Sequence, residues 1–233
     1  MIIFLAVTFG PSVSRTLWTM AATWIGVPLI VALALALSAA FGLVSLDLAG
    51  LSIFEQGLRS QGSRADPAAV MTVQVLIAVV AAPILNAIPV LGEELGWRGW
   101  LQPRLVASRG VFGGLVLTGL IWGLWHFPLT LLGYNYPSLG FWSGPFFVVT
   151  CVLLGFCVGW LRLRTGSVWP PVLAHASLNG VAGLALLFGD AAEPPDTVFA
   201  GITGLVGWVV LAAVALVLFR LFPVRQADRA PAA

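Results

Sequence analysis

Long apolar runs without a formal charge, separated by short clusters of Arg, Asp and Glu, constrain this chain more than any other feature. Thr16–Leu46, Pro67–Gly92, Gly110–Leu161, Thr165–Gly189 and Thr197–Phe219 contain no Asp, Glu, Lys or Arg. A bilayer core is crossed by about 20 apolar residues in a helix, the form in which every backbone polar group is paired internally. Gly110–Leu161 is too long for one crossing, and the turn-forming cluster Gly133-Tyr134-Asn135-Tyr136-Pro137 divides it in two. The expectation is an all-α, polytopic transmembrane bundle of about six spans. Composition agrees: 60% of residues are hydrophobic and 9% charged, against about 25% charged in a soluble domain. That balance excludes a soluble globular enzyme, a disordered chain and a nucleic-acid binder with a basic face.

Six spans put both termini on one side of the membrane. Arg15, Arg98, Arg104, Arg109, Arg162, Arg164, Arg220, Arg225 and Arg229 fall on that side, and only Arg59 and Arg64 on the other. The positive-inside rule then places both termini in the cytoplasm. Residues 1–15 read as a short N-terminal segment in which Met1–Phe9 is apolar but too short to span. It lacks the basic start and cleavage site of a signal peptide. Residues 16–222 form the bundle and 223–233 a cytoplasmic tail, disordered in expectation from Val224 on. Cys151 and Cys157 are six apart in an apolar run, on different helix faces, and read as small buried side chains.

Ionisable groups inside or beside spans are costly, so each is a candidate functional group. Both histidines of the chain, His126 and His175, lie in apolar runs. A third cluster, Gly92-Glu93-Glu94-Leu95-Gly96-Trp97-Arg98, closes the second run. Residues four apart share a helix face. Glu94 therefore stacks on Arg98, whereas Glu93 is rotated about 100° away, over Trp97 and without a sequence-local cation. Two adjacent carboxylates in low dielectric resist double ionisation. Arg98 holds Glu94 charged, which leaves Glu93 as the adjustable group, suited to a general base. His126 lies one turn from Trp122, whose ring walls one side of a site, and His175 shares a face with Asn179. These groups reach a common depth if the second helix runs on through Trp100, kinked at Pro83 and Pro89, and the third begins nearer Val116. No phosphate-binding loop and no HExxH zinc motif occurs.

At these residues the chain resembles the CPBP family, the CAAX protease and bacteriocin-processing group that includes the type 2 CAAX prenyl endopeptidase. Glu93-Glu94-x-x-x-Arg98, Trp122-x-x-x-His126 and His175-x-x-x-Asn179 match its three motifs in order. Trp122 stands where the family commonly has Phe. The resemblance covers a core of about residues 71–187. It implies an intramembrane endopeptidase in which Glu93 activates water and His126 positions it. His175 and Asn179 stabilise the oxyanion, and Glu94 and Arg98 form a supporting pair. No cofactor is certain. Glu93, His126 and His175 are a possible three-ligand Zn site, against a metal-free, glutamate-dependent site. The metal-free form is preferred because one carboxylate cannot easily be both ligand and base. The implied partners are a peptide or protein substrate, lipid-modified in the family's eukaryotic case, and the lipid bilayer, with no nucleic acid. The Lys-free, Ala-rich composition suggests a bacterial cell membrane. The competing expectation is a non-catalytic partner-binding or bacteriocin immunity protein that uses the same polar cluster for packing.

Overall fold

The structure, a computed structural model, describes residues 11–224, and every regular element among them is helical. The apolar segment Met1–Phe9 and the tail beyond Val224 lie outside the described residues. Helix α1 is Val13–Ala40, started by Ser12, whose hydroxyl accepts from the Arg15 N–H at 3.3 Å. A short helix α2, Ser52–Ser60, follows. Helix α3, Pro67–Leu76, begins with proline at its first position and with Asp66 accepting from the Ala68 N–H at 3.1 Å. A π-helical segment, Ile77–Ala81, joins α3 to α4, Ala82–Glu94. A second π-helical segment, Leu95–Leu101, joins α4 to α5, Gln102–Leu131. A 3-10 turn, Pro137–Trp142, leads into α6, Ser143–Thr165, which ends on Gly166 in the left-handed region. Helix α7, Trp169–Val181, starts on Pro170 and Pro171, and after a 3-10 turn at Leu184–Phe188 the last helix, α8, is Leu205–Leu221.

Four stretches are long and apolar enough to cross a membrane: Val13–Ala40, Pro67–Leu131, Pro137–Thr165 and Trp169–Phe188. Leu205–Leu221 is a shorter apolar helix. The second stretch has 65 residues. At 1.5 Å per residue that is about 98 Å, some three times a hydrocarbon core. It is not one rod, because Gly110 takes φ 73° and ψ 173°, a conformation open to glycine, and the chain reverses there. The helix does continue through Glu93 and Trp100, as the sequence suggests. Its reversal is at Gly110 rather than near Val116, because the glycine supplies the turn and helical geometry resumes directly after it. The π-helical segment before Pro83 accompanies the expected kink, since proline removes an N–H and crowds the preceding turn. The last two elements are shorter than their uncharged runs. Regular helix in α7 stops at Val181, and α8 begins at Leu205 rather than Thr197.

Contacts sort the connecting segments onto two ends of the bundle. At one end Arg15 Nη1 donates to the Arg164 carbonyl at 3.4 Å, Arg162 Nε to the Arg98 carbonyl at 3.0 Å, and Trp160 Nε1 to the Phe222 carbonyl at 3.0 Å. At the other, Leu46 pairs antiparallel with Gly189, Ser45 donates to Glu193 at 2.6 Å, and Thr197 donates to the Asn135 carbonyl at 2.7 Å. The arginine-rich and arginine-poor segments are therefore separated as the charge pattern requires. Between the two ends, Ile25, Leu29, Leu76, Ile88, Val209 and Leu216 are each more than half exposed. So much outward apolar surface suits lipid, not water. Both cysteines are free.

The arginine-poor end contains one tightly organised acid. Asp47 accepts from the Gly50 N–H at 2.7 Å and the Ser52 N–H at 3.1 Å, and so orders the start of α2. The Gly50 N–H first, and then the Ser52 side chain, hold this carboxyl below its ordinary value of 3.8. Its ordering effect is thus complete above that value and is lost as pH falls through the depressed one. Asp47→Ala should speed amide exchange at Gly50 and Ser52 at neutral pH. In the wild type the same loss should appear only below the usual carboxylate range.

Helices α5 and α6 meet through glycine. A methyl group added at Gly119 would lie 2.6 Å from the Val152 Cα, and one at Gly123 would lie 2.7 Å from the Val148 Cα. Such close approach lets two membrane helices pack backbone to backbone. Gly119→Leu should lower unfolding stability in detergent by about 1–3 kcal/mol and shift the α5 face that carries Trp122 and His126.

Candidate functional site

The polar cluster lies where α4, α5 and α7 meet. Glu94 is the last residue of α4, and the π-helical turn after it carries Arg98. Arg98 Nη1 donates to Glu94 Oε1 at 2.7 Å, and both side chains are fully buried. The i,i+4 pair read from the sequence therefore forms. His175 comes to the same oxygen from α7, its Nδ1 2.9 Å from Glu94 Oε1. Two donors thus converge on one carboxylate oxygen. Glu94 Oε2 and the Arg98 Nε and Nη2 have no hydrogen-bond partner. Burying each ion costs several kcal/mol, and the two charge-assisted bonds return about 1.5–3 kcal/mol each. The network is at best break-even, and what it provides is fixed geometry.

Trp122 joins the cluster to the second histidine. Its ring is 4.4 Å from the Arg98 guanidinium carbon, a cation–π contact, and its centroid is 5.2 Å from that of His175 and 5.8 Å from that of His126. Trp125 and Phe147 pack edge-on against His126 at 4.8 and 5.1 Å, and Trp97 meets Trp125 at 6.0 Å. The wall expected of Trp122 is present, and the ring is 3% exposed. It touches residues of all three motifs, which fixes their common depth by contact.

The hydrogen bonds assign the histidine tautomers. His126 Nδ1 lies 3.0 Å from the Trp122 carbonyl oxygen, which can only accept, so Nδ1 carries a proton. In the neutral ring Nε2 is then an acceptor. His175 Nδ1 likewise donates to the Glu94 carboxylate, so its Nε2 becomes a donor only when the ring is charged.

Glu93 stands apart from this network. It is half-buried, and its Oε2 is enclosed without a hydrogen-bond partner. The expectation that Arg98 serves Glu94 and not Glu93 agrees with these contacts. Asn179 follows His175 by one turn in α7 but is exposed, whereas His175 is buried. Among the described residues no group of three or more His, Cys, Asp or Glu side chains is arranged to hold a metal. The set Glu93, His126 and His175 therefore does not fit a zinc site, and no step below passes through a metal.

One contact escaped the sequence reading. Asn86 Nδ2 donates to the Ala176 carbonyl at 3.2 Å and ties α4 to α7 one residue beyond His175. The available signal was an amide side chain in the apolar helix that carries Glu93, two helical turns before it.

Residues 68–181 match the family described as type II CAAX prenyl endopeptidase Rce1-like. A 92-residue stretch is 30% identical to CAAX prenyl protease 2 of Methanococcus maripaludis, covering 37% of this chain and 34% of that protein. The chain thus matches about a third of that relative's length. No solved structure matches it.

Proposed function

We propose that this chain, whose residues 68–181 match the Rce1-like family of type II CAAX prenyl endopeptidases, is an intramembrane endopeptidase that hydrolyses a peptide bond with water activated by Glu93. The carrying observation is the division of labour between adjacent carboxylates. Glu94 is committed to Arg98 and His175, and Glu93, the next residue in sequence, is left with an enclosed, unpartnered oxygen.

A water donating one O–H to the Glu93 carboxylate and the other to His126 Nε2 has its lone pair free for a carbonyl carbon. Glu93 takes the proton as the C–O bond forms. Charge develops on the carbonyl oxygen, where a donor is worth most in a low-dielectric site. Asn179 Nδ2 supplies a neutral donor, and His175 Nε2 supplies one when the ring carries both protons. When the C–N bond breaks, the proton on Glu93 passes to the leaving amine. Atoms and charge balance, and Glu93 returns to its starting form. Glu94 and Arg98 never touch the substrate in this scheme. They hold His175 and, through Trp122, the ring of His126.

The six-span topology belongs to the same reading. Gly110 splits Pro67–Leu131 into two crossings, and Leu205–Leu221 serves as the sixth. The arginine-rich end faces the cytoplasm, so the substrate is a peptide that enters from that side, near the end of α4. The second reading, a non-catalytic membrane protein, draws on the full burial of Glu94 and Arg98, which suits packing alone. Quantitative peptide profiling of membranes from cells carrying wild type or Glu93→Gln separates the two. The peptidase reading expects at least one peptide whose processed terminus disappears in the variant. Identical profiles together with an unchanged phenotype favour the packing role.

A further inference from the structure

A second feature lies on the neighbouring face of α7. A cavity of about 440 Å³ opens between α1, α6, α7 and α8, with almost wholly apolar walls. Its α1 wall includes the small residues Ala22, Thr23 and Gly26, and its α7 wall includes Ala174 and Leu178. Small residues on membrane helices ordinarily let a neighbouring helix come close, as Gly119 and Gly123 do. Gly26 does not, because a methyl group built on it meets nothing within 4 Å. The small side chains here hold space open.

The charge at one end of the cavity identifies an occupant. The lining runs along α1 from Trp18 to Val31, about 20 Å at the helical rise. Trp18, Trp160 and Phe222 lie at its arginine-rich end. Within one turn of the first two are Arg15 and Arg164, and Arg15 reaches across to the Arg164 carbonyl at 3.4 Å. A groove about 20 Å long with such apolar walls takes a single extended acyl chain. We infer that this groove binds one acyl chain of an anionic phospholipid, with the headgroup phosphate held by Arg15 and Arg164. Cations beside an anionic lipid surface each favour binding by about fivefold, which selects an anionic headgroup over a zwitterionic one carrying the same chains. The bound chain packs on Ala174 and Leu178 and so backs the helix that presents His175. This site stands independently of the peptidase reading.

The test uses the full-length protein in a neutral detergent, with native mass spectrometry as the readout. Dioleoyl phosphatidylglycerol and dioleoyl phosphatidylcholine are titrated separately. Wild type should retain one phosphatidylglycerol per chain, bound at least tenfold more tightly than phosphatidylcholine. Gly26→Leu and Ala22→Phe each fill the groove from α1 and should weaken that retention at least tenfold while helix content is kept. Ala22 is exposed, so its variant stands as a control if Gly26→Leu misfolds. Arg15→Gln should reduce the preference between headgroups without abolishing binding. Equal retention of the two lipids, or unchanged retention in both groove-filling variants, overturns the proposal. So does exclusive retention of a farnesylated peptide offered in competition, which would make the groove a substrate-chain site.

Discussion

Glu93→Gln should reduce peptide hydrolysis by at least about a thousandfold, with unfolding in detergent indistinguishable from wild type. Glutamine preserves the shape and removes the proton acceptor, so the water keeps its place and loses its base. General-base assistance alone is worth about 10²–10⁴ in rate. The unchanged stability follows from the contacts. Glu93 carries none of the charge-assisted bonds of the cluster, and its enclosed oxygen has no partner to lose. Initial rates on a processed peptide, measured beside thermal unfolding curves, check both halves. Substantial residual cleavage would move the base to another group.

The neighbouring carboxylate should behave in the opposite way. Glu94→Ala leaves the Arg98 guanidinium fully buried without its anion, and Arg98→Ala does the reverse. Breaking a buried pair from one side costs about 3–5 kcal/mol, and here His175 loses its orienting acceptor as well. Both variants should unfold far more readily, and activity falls with the fold. Replacing both members, as in Glu94→Gln with Arg98→Met, removes the stranded charge and should recover most of the stability. It should not recover activity, because a neutral amide in place of the carboxylate no longer gives His175 Nδ1 the charged acceptor that orients its ring. Chemical unfolding of Glu94→Gln, Arg98→Met and the double variant that combines them closes the cycle. Independent, additive losses would show that the pair is not coupled. The contrast between residues 93 and 94 matters more than either value. Adjacent residues of one type should separate into a chemical role and a structural one.

Much of this was legible in the sequence because it depends on local geometry. The Glu94–Arg98 pair follows from a four-residue spacing on one helix, and the Trp122 wall beside His126 from the same spacing on another. The sorting of arginines onto one end of the bundle follows from counting charges between apolar runs. The partner of His175 was not legible. Its bond goes to Glu94, 81 residues away, and only the packing of α7 on α4 creates it. Asn86 was missed for the same reason, since its acceptor is a backbone carbonyl of another helix. The π-helical turns at Ile77–Ala81 and Leu95–Leu101 leave no mark in hydrophobic periodicity, because each adds one residue to a turn without changing the residue types. Gly26 reads like any packing glycine in a membrane helix, and only its neighbours show that nothing packs there.

The central claim is that one water is held jointly by Glu93 and His126, beneath a ring held in turn by Trp122. An experimental density map of the protein in a lipid bilayer, at a resolution that shows ordered solvent, tests this most directly. The account predicts a water within hydrogen-bonding distance of both a Glu93 carboxylate oxygen and His126 Nε2, with His175 bonded to Glu94. A map in which Glu93 and His126 lie too far apart for a single water to bridge, or in which Glu93 faces the acyl chains, contradicts it.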